Sequence, residues 1–279
     1  MNPKKRIWLI TGISSGLGKA LAQSVMETGD FVIGTFRNQS QVNEFNELHE
    51  RSGLAIKLDI TNEVEIEEAV KSVLSKIGKI DVLVNNAGIG FVGAVEETSV
   101  TEVRQVFETN FFGALKLTQA ILPSMRSAKQ GHIVQISSHG GIKAFAGFGI
   151  YNASKFALEG FSEALAQEVA PLGIKVSIVE PGPFRTNFAG NSLGEATNFI
   201  DDYAETAGAF RARLKGVDGK QEGDPLKAAK AIIELVHSEK ATLRLPLGKV
   251  ALMTIGMKLE SVKSDLEKNR EAAEQAVYD

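Results

Sequence analysis

Short apolar runs of strand length alternate along this chain with longer stretches in which apolar residues recur every three or four positions. Ile7 to Thr11 predicts a strand, Gly16 to Thr28 a helix with Leu17, Leu21 and Val25 on one face, and Asp30 to Thr35 the next strand. Further strands are predicted at Leu54 to Leu58, Asp81 to Val84, His132 to Ile136, Lys175 to Val179 and Thr242 to Leu245. Helical periods fill the gaps at 39–50, 62–77, 100–128, 152–170 and 225–237. Asp224 as N-cap and Pro225 at the first helical position open the last of them.

Near-continuous apolar strands separated by helices call for a parallel sheet covered on both faces, the doubly wound α/β arrangement, here with about seven strands. No Pro/Gly/Ser-rich linker, repeat or low-complexity tract divides the chain, so residues 1–279 are expected to form a single domain. The rhythm fails at 184–223, where Phe188, Phe199, Ile200, Tyr203 and Phe210 are scattered among polar residues; a long irregular insertion of this kind is expected to be a lid or binding segment. The tail at 249–279 reads as helical, and Leu259, Val262 and Leu266 form a stripe expected to lie on the protein body or on a sister subunit.

Composition narrows the possible partners. With 31 Lys plus Arg against 34 Asp plus Glu, a formal charge of −3, the chain has no global positive field to hold nucleic acid. It contains no cysteine, which excludes disulfides, thiol catalysis and thiolate metal sites and fits a reducing compartment. Lys4, Lys5 and Arg6 precede an apolar run that ends at Thr11, too short for a secretory leader, and no run approaches a membrane span. A soluble cytoplasmic protein is expected. His49, His132 and His237 are isolated and give no metal-ligand spacing, and His139 reads as an exposed loop residue.

The first strand and helix are joined by Thr11-Gly12-Ile13-Ser14-Ser15-Gly16-Leu17-Gly18. Glycines there allow a tight turn and close approach to a pyrophosphate, and a helix N-terminus offers free N–H groups. The spacing is not that of a P-loop, since five residues separate Gly12 from Gly18 and Ala20 follows Lys19. Gly12-x-Ser14-x-Gly16 formally matches a hydrolase nucleophile elbow, but that turn follows several strands, and this one follows the first.

The Thr-Gly-x-x-x-Gly-x-Gly spacing resembles the cofactor motif of the short-chain dehydrogenase/reductase family, with its Rossmann-type sheet. Asn85-Asn86-Ala87-Gly88, Asn110, Ser138, Tyr151-x-x-x-Lys155 and Pro181-Gly182 follow in the family's order. The resemblance implies that Gly12, Ser14, Ser15, Gly16, Leu17 and Gly18, with Asn86, Ala87, Gly88, Pro181, Gly182 and Thr186, line the cofactor, and that Asp59 holds the adenine amino group. It further implies Tyr151 as acid and base, Lys155 as its tuning partner and ribose ligand, Ser138 as carbonyl-oxygen stabiliser and Asn110 as holder of a relay water.

The chemistry of these residue types agrees. Tyr151 and Lys155 lie one helical turn apart, and a nearby ammonium lowers a phenol's pKa from about 10 towards the working range. Ser138 can donate to a developing oxyanion, and alternation along the strand then turns Ser137 away. Out of context a Tyr and Lys so spaced are also a half-buried ring under a lysine stem. A plain N-cap or turn role remains open for Asn110, Ser138 and Asp59.

The second strand ends in Thr35-Phe36-Arg37-Asn38, with no acid to accept from a ribose 2′-OH and with a guanidinium suited to a 2′-phosphate. NADP(H) is therefore expected ahead of NAD(H), with Arg37 reading the phosphate. Hydride exchange between NADP(H) and an apolar ketone, aldehyde or secondary alcohol is the expected reaction; the alternative is a non-catalytic NADP(H)-binding sensor. Phe91, Val92, Ile142, Phe145, Phe148, Phe188, Phe199 and Tyr203 are candidate pocket residues. The sequence around Pro181–Thr186 is similar to hydroxysteroid-dehydrogenase-like members, and the family implies a homodimer or homotetramer built through the long helices.

Overall fold

The computed structural model describes residues 5–190 and 193–278. In chain order the strands and helices begin β1 (Ile7–Ile10), α1 (Gly16–Glu27), β2 (Phe31–Phe36), α2 (Gln39–His49), β3 (Gly53–Lys57), α3 (Glu63–Ile77), β4 (Val82–Asn85) and β5 (Gly90–Val92). They continue with α4 (Val100–Phe107), α5 (Gly113–Ala128), β6 (Gly131–Ile136), α6 (Gly149–Val169), β7 (Ile174–Pro181) and β8 (Leu193–Glu195). Last come α7 (Ala209–Gly216), α8 (Pro225–His237), β9 (Arg244–Leu247), α9 (Lys249–Lys268) and α10 (Arg270–Glu274).

Seven strands form one parallel sheet in the order β3-β2-β1-β4-β6-β7-β9. Alternation along each strand divides the core in two. Trp8, Ile10, Val84 and Val134 face Leu21 and Val25 of α1 and Ile232 and Val236 of α8. Leu9, Ile33, Leu83 and Ile133 face the opposite layer, built from α3, α5 and α6 with Val70, Val73, Leu117, Ile121 and Leu165. Each such side chain, fully buried, contributes about 1.5–3 kcal/mol relative to exposure. The order reverses between β1 and β4, and the crevice at their carboxyl ends is where a doubly wound sheet takes its ligand.

Two departures from the sequence pattern matter for the site. The predicted helix over 100–128 is interrupted by a π-helical turn, Glu108–Phe112, centred on Asn110. The turn shifts the helix so that Gly113 abuts Ile60, whose carbonyl oxygen would lie 2.7 Å from a Cβ at that position. Beyond the main sheet, β5 and β8 pair in parallel as a small separate ribbon. Three-residue strands are too short to leave a period in the sequence.

The irregular segment is pinned at its base. Phe184 bridges Gly223, the Arg185 N–H donates to Gly223 O at 2.9 Å, and the Gly223 N–H returns to Pro183 O at 3.2 Å. Between these ends lie β8, short helical turns and α7. The tail is helical as expected, but Leu259, Val262 and Leu266 face solvent rather than the protein body. No helix among the described residues is long and apolar enough to cross a membrane.

Candidate active site

The glycine turn leaves β1 with Gly12 at φ +69°, a left-handed conformation that an L side chain adopts only under strain. Gly18 is required for a different reason: a Cβ there would meet the Gly12 carbonyl oxygen at 2.5 Å and fall on the Asn86 amide. The turn is braced from β4. Thr11 Oγ1 accepts from the N–H groups of Asn86 and Ala87, each at 2.9 Å, and Asn86 Nδ2 donates to the carbonyls of Thr11 and Gly12 at 2.8 and 3.1 Å. Thr35 Oγ1 accepts from the Gly12 N–H at 3.0 Å. The Asn86 side chain therefore shapes the turn rather than reaching into the crevice.

The start of α1 is free. Asn38, Asn62, Ser99 and Asp224 each cap their helix with a side-chain oxygen, whereas Ser15 makes no side-chain cap and the first turn of α1 holds no acid. Ser14 is exposed, and Ser15, Gly16 and Leu17 are half-buried at the crevice edge. Uncapped N–H groups with the positive end of the helix dipole form an anion site, and the glycine cradle leaves room for a pyrophosphate. Thr186 closes the far side, its Cβ 3.3 Å from where a Gly16 Cβ would stand. Pro181 and Gly182 end β7 beside it, the Gly182 N–H donating to Leu247 O at 2.9 Å.

Arg37 follows β2, exposed, and makes no ion pair among the described residues; Phe36 before it is buried against Phe45. Asp59 Oδ1 accepts from the Thr61 N–H and hydroxyl at 2.9 and 2.8 Å, a turn-forming arrangement, while Asn62 is the cap of α3. The Arg185 guanidinium donates to Gln221 O at 3.2 Å.

Four residues converge at the ends of β6 and α6. Tyr151, only 5% exposed, and Lys155 share the inner face of α6, with Lys155 Nζ 5.9 Å from the Tyr151 ring centre. Lys155 Nζ donates to Ile136 O at 2.9 Å. Ser138 Oγ accepts from the Gly140 N–H at 2.9 Å and its hydroxyl donates to Pro181 O at 3.5 Å, close enough to the Tyr151 phenol to act on its pKa. Asn110 Oδ1 accepts from the Ile89 N–H at 2.8 Å, and Nδ2 donates to Ile89 O and Ser154 Oγ at 2.9 and 3.0 Å. A Cβ at Gly88 would stand 3.2 Å from Asn110 Oδ1 and 3.5 Å from Lys155 Nζ, so both groups flank the same point.

The electrostatics differ from the sequence expectation of a phenol lowered by its lysine. Burial pushes the Tyr151 phenol up to about 12, opposed by the Ser138 hydrogen bond. Burial pulls Lys155 down to about 8, opposed by the negative charge of Glu159. Desolvation is the largest cause for both groups.

Ser137 points away from Tyr151, as alternation predicts. Its hydroxyl lies beside Glu159, and both groups crowd the place of a Gly141 Cβ. Glu159 and Glu180 are buried around Arg244, which pairs with each and with Glu163. No sequence motif announced this cluster, because its members come from α6, β7 and β9.

His139 is half-buried, not exposed. Its Nδ1 lies 2.9 Å from Thr254 Oγ1 on α9, its ring lies 5.1 Å from Phe145, and burial lowers its pKa to about 4.

Over Tyr151 lies an aromatic roof. Phe148 stacks on its ring at 4.3 Å and Phe188 meets it edge-on at 5.5 Å. Phe145, Phe210, Leu193 and Leu214 complete the cluster, and the last three were absent from the pocket residues expected from the sequence. Phe210 was legible as an aromatic in the irregular segment, but its placement depends on α7. Two expected pocket residues lie elsewhere: Phe199 is exposed beneath the Arg211 guanidinium, and Tyr203 donates to Glu96 at 2.7 Å. Phe91 packs in a neighbouring cluster with Val106 and Ala196.

The sequence model described as short chain dehydrogenase matches residues 6–196. The chain belongs to the short-chain dehydrogenase family. It is 41% identical over 248 residues to 3-ketodihydrosphingosine reductase of Bacteroides thetaiotaomicron, covering 87% of this chain and 88% of that protein. Among solved structures it resembles a short-chain dehydrogenase from Streptomyces avermitilis, with a TM-score of 0.93 and 43% identity over 99% of this chain and all of the other. It is also similar to ElxO with NADP bound, with a TM-score of 0.74 and 27% identity over 90% of this chain and 100% of that one. The short-chain dehydrogenase architecture and its chemistry class, oxidoreduction at CH–OH and carbonyl groups, thus stand for this protein.

Proposed function

We propose that this short-chain dehydrogenase reduces an apolar ketone or aldehyde with NADPH. The observation that carries this reading is the convergence of Ser138, Tyr151 and Lys155 under an aromatic roof, beside an uncapped helix start. The start of α1 and Arg37 would hold NADPH, which when bound would supply a hydride for the carbonyl carbon. The Tyr151 hydroxyl gives its proton to the carbonyl oxygen, and Ser138 donates a hydrogen bond to that oxygen as charge develops. Lys155 stabilises the phenolate left behind, and the proton would return from solvent through a water held beside Lys155 in the region that Asn110 shapes. With both polar atoms of Asn110 already engaged, its main contribution is to fix the Gly88–Ile89 backbone beside Lys155.

A phenol raised to about 12 is protonated at neutral pH, which suits proton donation and hence reduction. The apolar roof favours a hydrophobic substrate over a polar one. A ketone substrate is also what the name of the Bacteroides relative states for that enzyme. Exposed Arg37, without a carboxylate neighbour at the end of β2, supports NADPH over NADH. The segment 184–223 is the substrate loop in this reading, since it supplies Phe188, Leu193, Phe210 and Leu214. A reducing, cytoplasmic setting accords with the absence of cysteine.

The test is NADPH absorbance during incubation with a panel of ketones and aldehydes graded in apolar surface. The reading predicts turnover that improves with apolar surface. Tight NADPH binding with no oxidation above background across the panel would overturn it.

A further inference from the structure

Glu97, in the turn between β5 and α4, is only 4% exposed, yet no step of the proposed reaction uses it. Its Oε2 accepts from the Ala94 N–H at 2.8 Å, within its own turn, and from Arg211 Nη2 at 3.2 Å; its Oε1 accepts from the Ile200 N–H at 3.0 Å. Ile200 and Arg211 both belong to the irregular segment 184–223. The Glu97–Arg211 pair is shielded from water, and the Arg211 guanidinium lies 4.2 Å from the centre of the Phe199 ring. Two further contacts tie the same segment down, from the Thr197 N–H to Glu102 Oε1 at 3.0 Å and from the Tyr203 hydroxyl to Glu96 at 2.7 Å. These lie at the surface, where such contacts are weak.

Arg211 reaches the active site through its neighbour. Phe210 stands 5.3 Å from Phe148, whose ring stacks on Tyr151 at 4.3 Å, and lies nearly parallel to Phe145 at 6.3 Å. Under this roof Tyr151 is buried, so a substrate meets the phenol only where the roof makes room for it. Backbone bonds at Pro183, Arg185 and Gly223 fix the ends of the segment but not its middle. Burying an ion pair costs desolvation of both charges and is weak evidence for stability; selecting one arrangement among several is its better-attested use.

We infer that Glu97 is a positioning residue for the substrate: by gripping Ile200 and Arg211 it holds Phe210 and the aromatic roof over Tyr151. It thereby sets affinity for the apolar part of the substrate without touching it. This role rests on the reading of 184–223 as the substrate loop. Glu97→Gln keeps the size of the side chain but replaces one accepting oxygen with a donor and removes the charge. Arg211 then retains Glu195, 3.6 Å from its Nε, which Glu195 shares with Lys215. The turn at 197–203 and α7 should loosen together while the ends of the segment stay pinned.

Hydrogen exchange of the NADPH-bound full chain reads the grip directly. In Glu97→Gln the amides of 197–203 and 209–216 should exchange at least about tenfold faster, with those of α8 unchanged. Unchanged exchange overturns the proposal, as does an acceleration that extends equally to α8, which marks general destabilisation. Kinetics reads the consequence. With decanal, KM should rise at least about tenfold and kcat stay within about threefold, the mark of lost binding rather than lost chemistry. Propanal offers the roof little apolar surface, and its kcat/KM should not change. Equal losses with both aldehydes, or a loss confined to kcat, overturn the proposal. Glu97→Gln/Arg211→Gln removes both charges and should be no worse than either single change; additive losses would refute the pairing. If the wild-type chain reduces neither aldehyde, the proposed reaction falls, and the exchange result alone decides the role of Glu97.

Discussion

The Lys155 ammonium donates to the Ile136 carbonyl oxygen at 2.9 Å, which ties the second turn of α6 to the end of β6 just before Ser137 and Ser138. One turn further along the same face stands Glu159, whose charge holds up the pKa of a lysine that burial lowers to about 8. Reduction should therefore fall as pH rises through about 8, where Lys155 loses its proton. Glu159→Gln removes the supporting charge and should move that alkaline limb to lower pH. The pH profile of kcat/KM for both proteins is the check, and an unmoved limb would show that Glu159 has no electrostatic hold on Lys155.

Ser137 and Ser138 are neighbours with opposite duties. Ser138 Oγ lies at the Tyr151 phenol, and Ser137 Oγ lies beside Glu159. Ser138→Ala should reduce kcat by roughly 10²–10³, the usual cost of one oxyanion donor. Ser137→Ala should leave kcat within about threefold, because its buried hydroxyl faces the Glu159 side, away from Tyr151, and has no hydrogen-bond partner to lose. Steady-state kinetics separates the two.

Arg37 stands alone at the end of β2 behind buried Phe36. Arg37→Glu should weaken NADPH by more than about tenfold while leaving NADH nearly unchanged, since only the former carries the 2′-phosphate. Titration of both nucleotides by fluorescence gives the ratio. Equal losses would mean that Arg37 does not read the phosphate.

His132 is buried with its Nε2 3.0 Å from Ser177 Oγ, and burial lowers its pKa to about 4. The unfolded chain takes up this proton near pH 6.5 and the folded chain only near pH 4, so stability is lost as pH falls through that window. The full effect is roughly 3 kcal/mol. His132→Gln should flatten the fall in urea midpoint between pH 7 and pH 4.5, apart from the share due to His139, which behaves alike.

Much of this was legible in the sequence because it rests on local pattern. The seven strands follow from apolar runs, and their covering helices from the 3.6-residue period; Tyr151 and Lys155 meet because four residues make one turn. What was hidden depends on long-range placement. The π-turn at Asn110 leaves no periodic mark, and the role of Asn86 as a brace appears only when β4 lies beside β1. Glu159, Glu180 and Arg244 come from three elements. The pKa of Tyr151 was misjudged for a related reason: spacing announces the lysine, but not the burial that outweighs it.

The central claim is that Tyr151 delivers the proton in an NADPH-dependent carbonyl reduction. Tyr151→Phe removes one hydroxyl and keeps the ring between Phe148 and Phe188. Single-turnover NADPH oxidation, measured by stopped flow beside NADPH affinity, tests the claim most directly. The predicted result is a rate at least about 10²-fold lower with unchanged affinity for NADPH. An undiminished rate would contradict the assignment of Tyr151 as the acid.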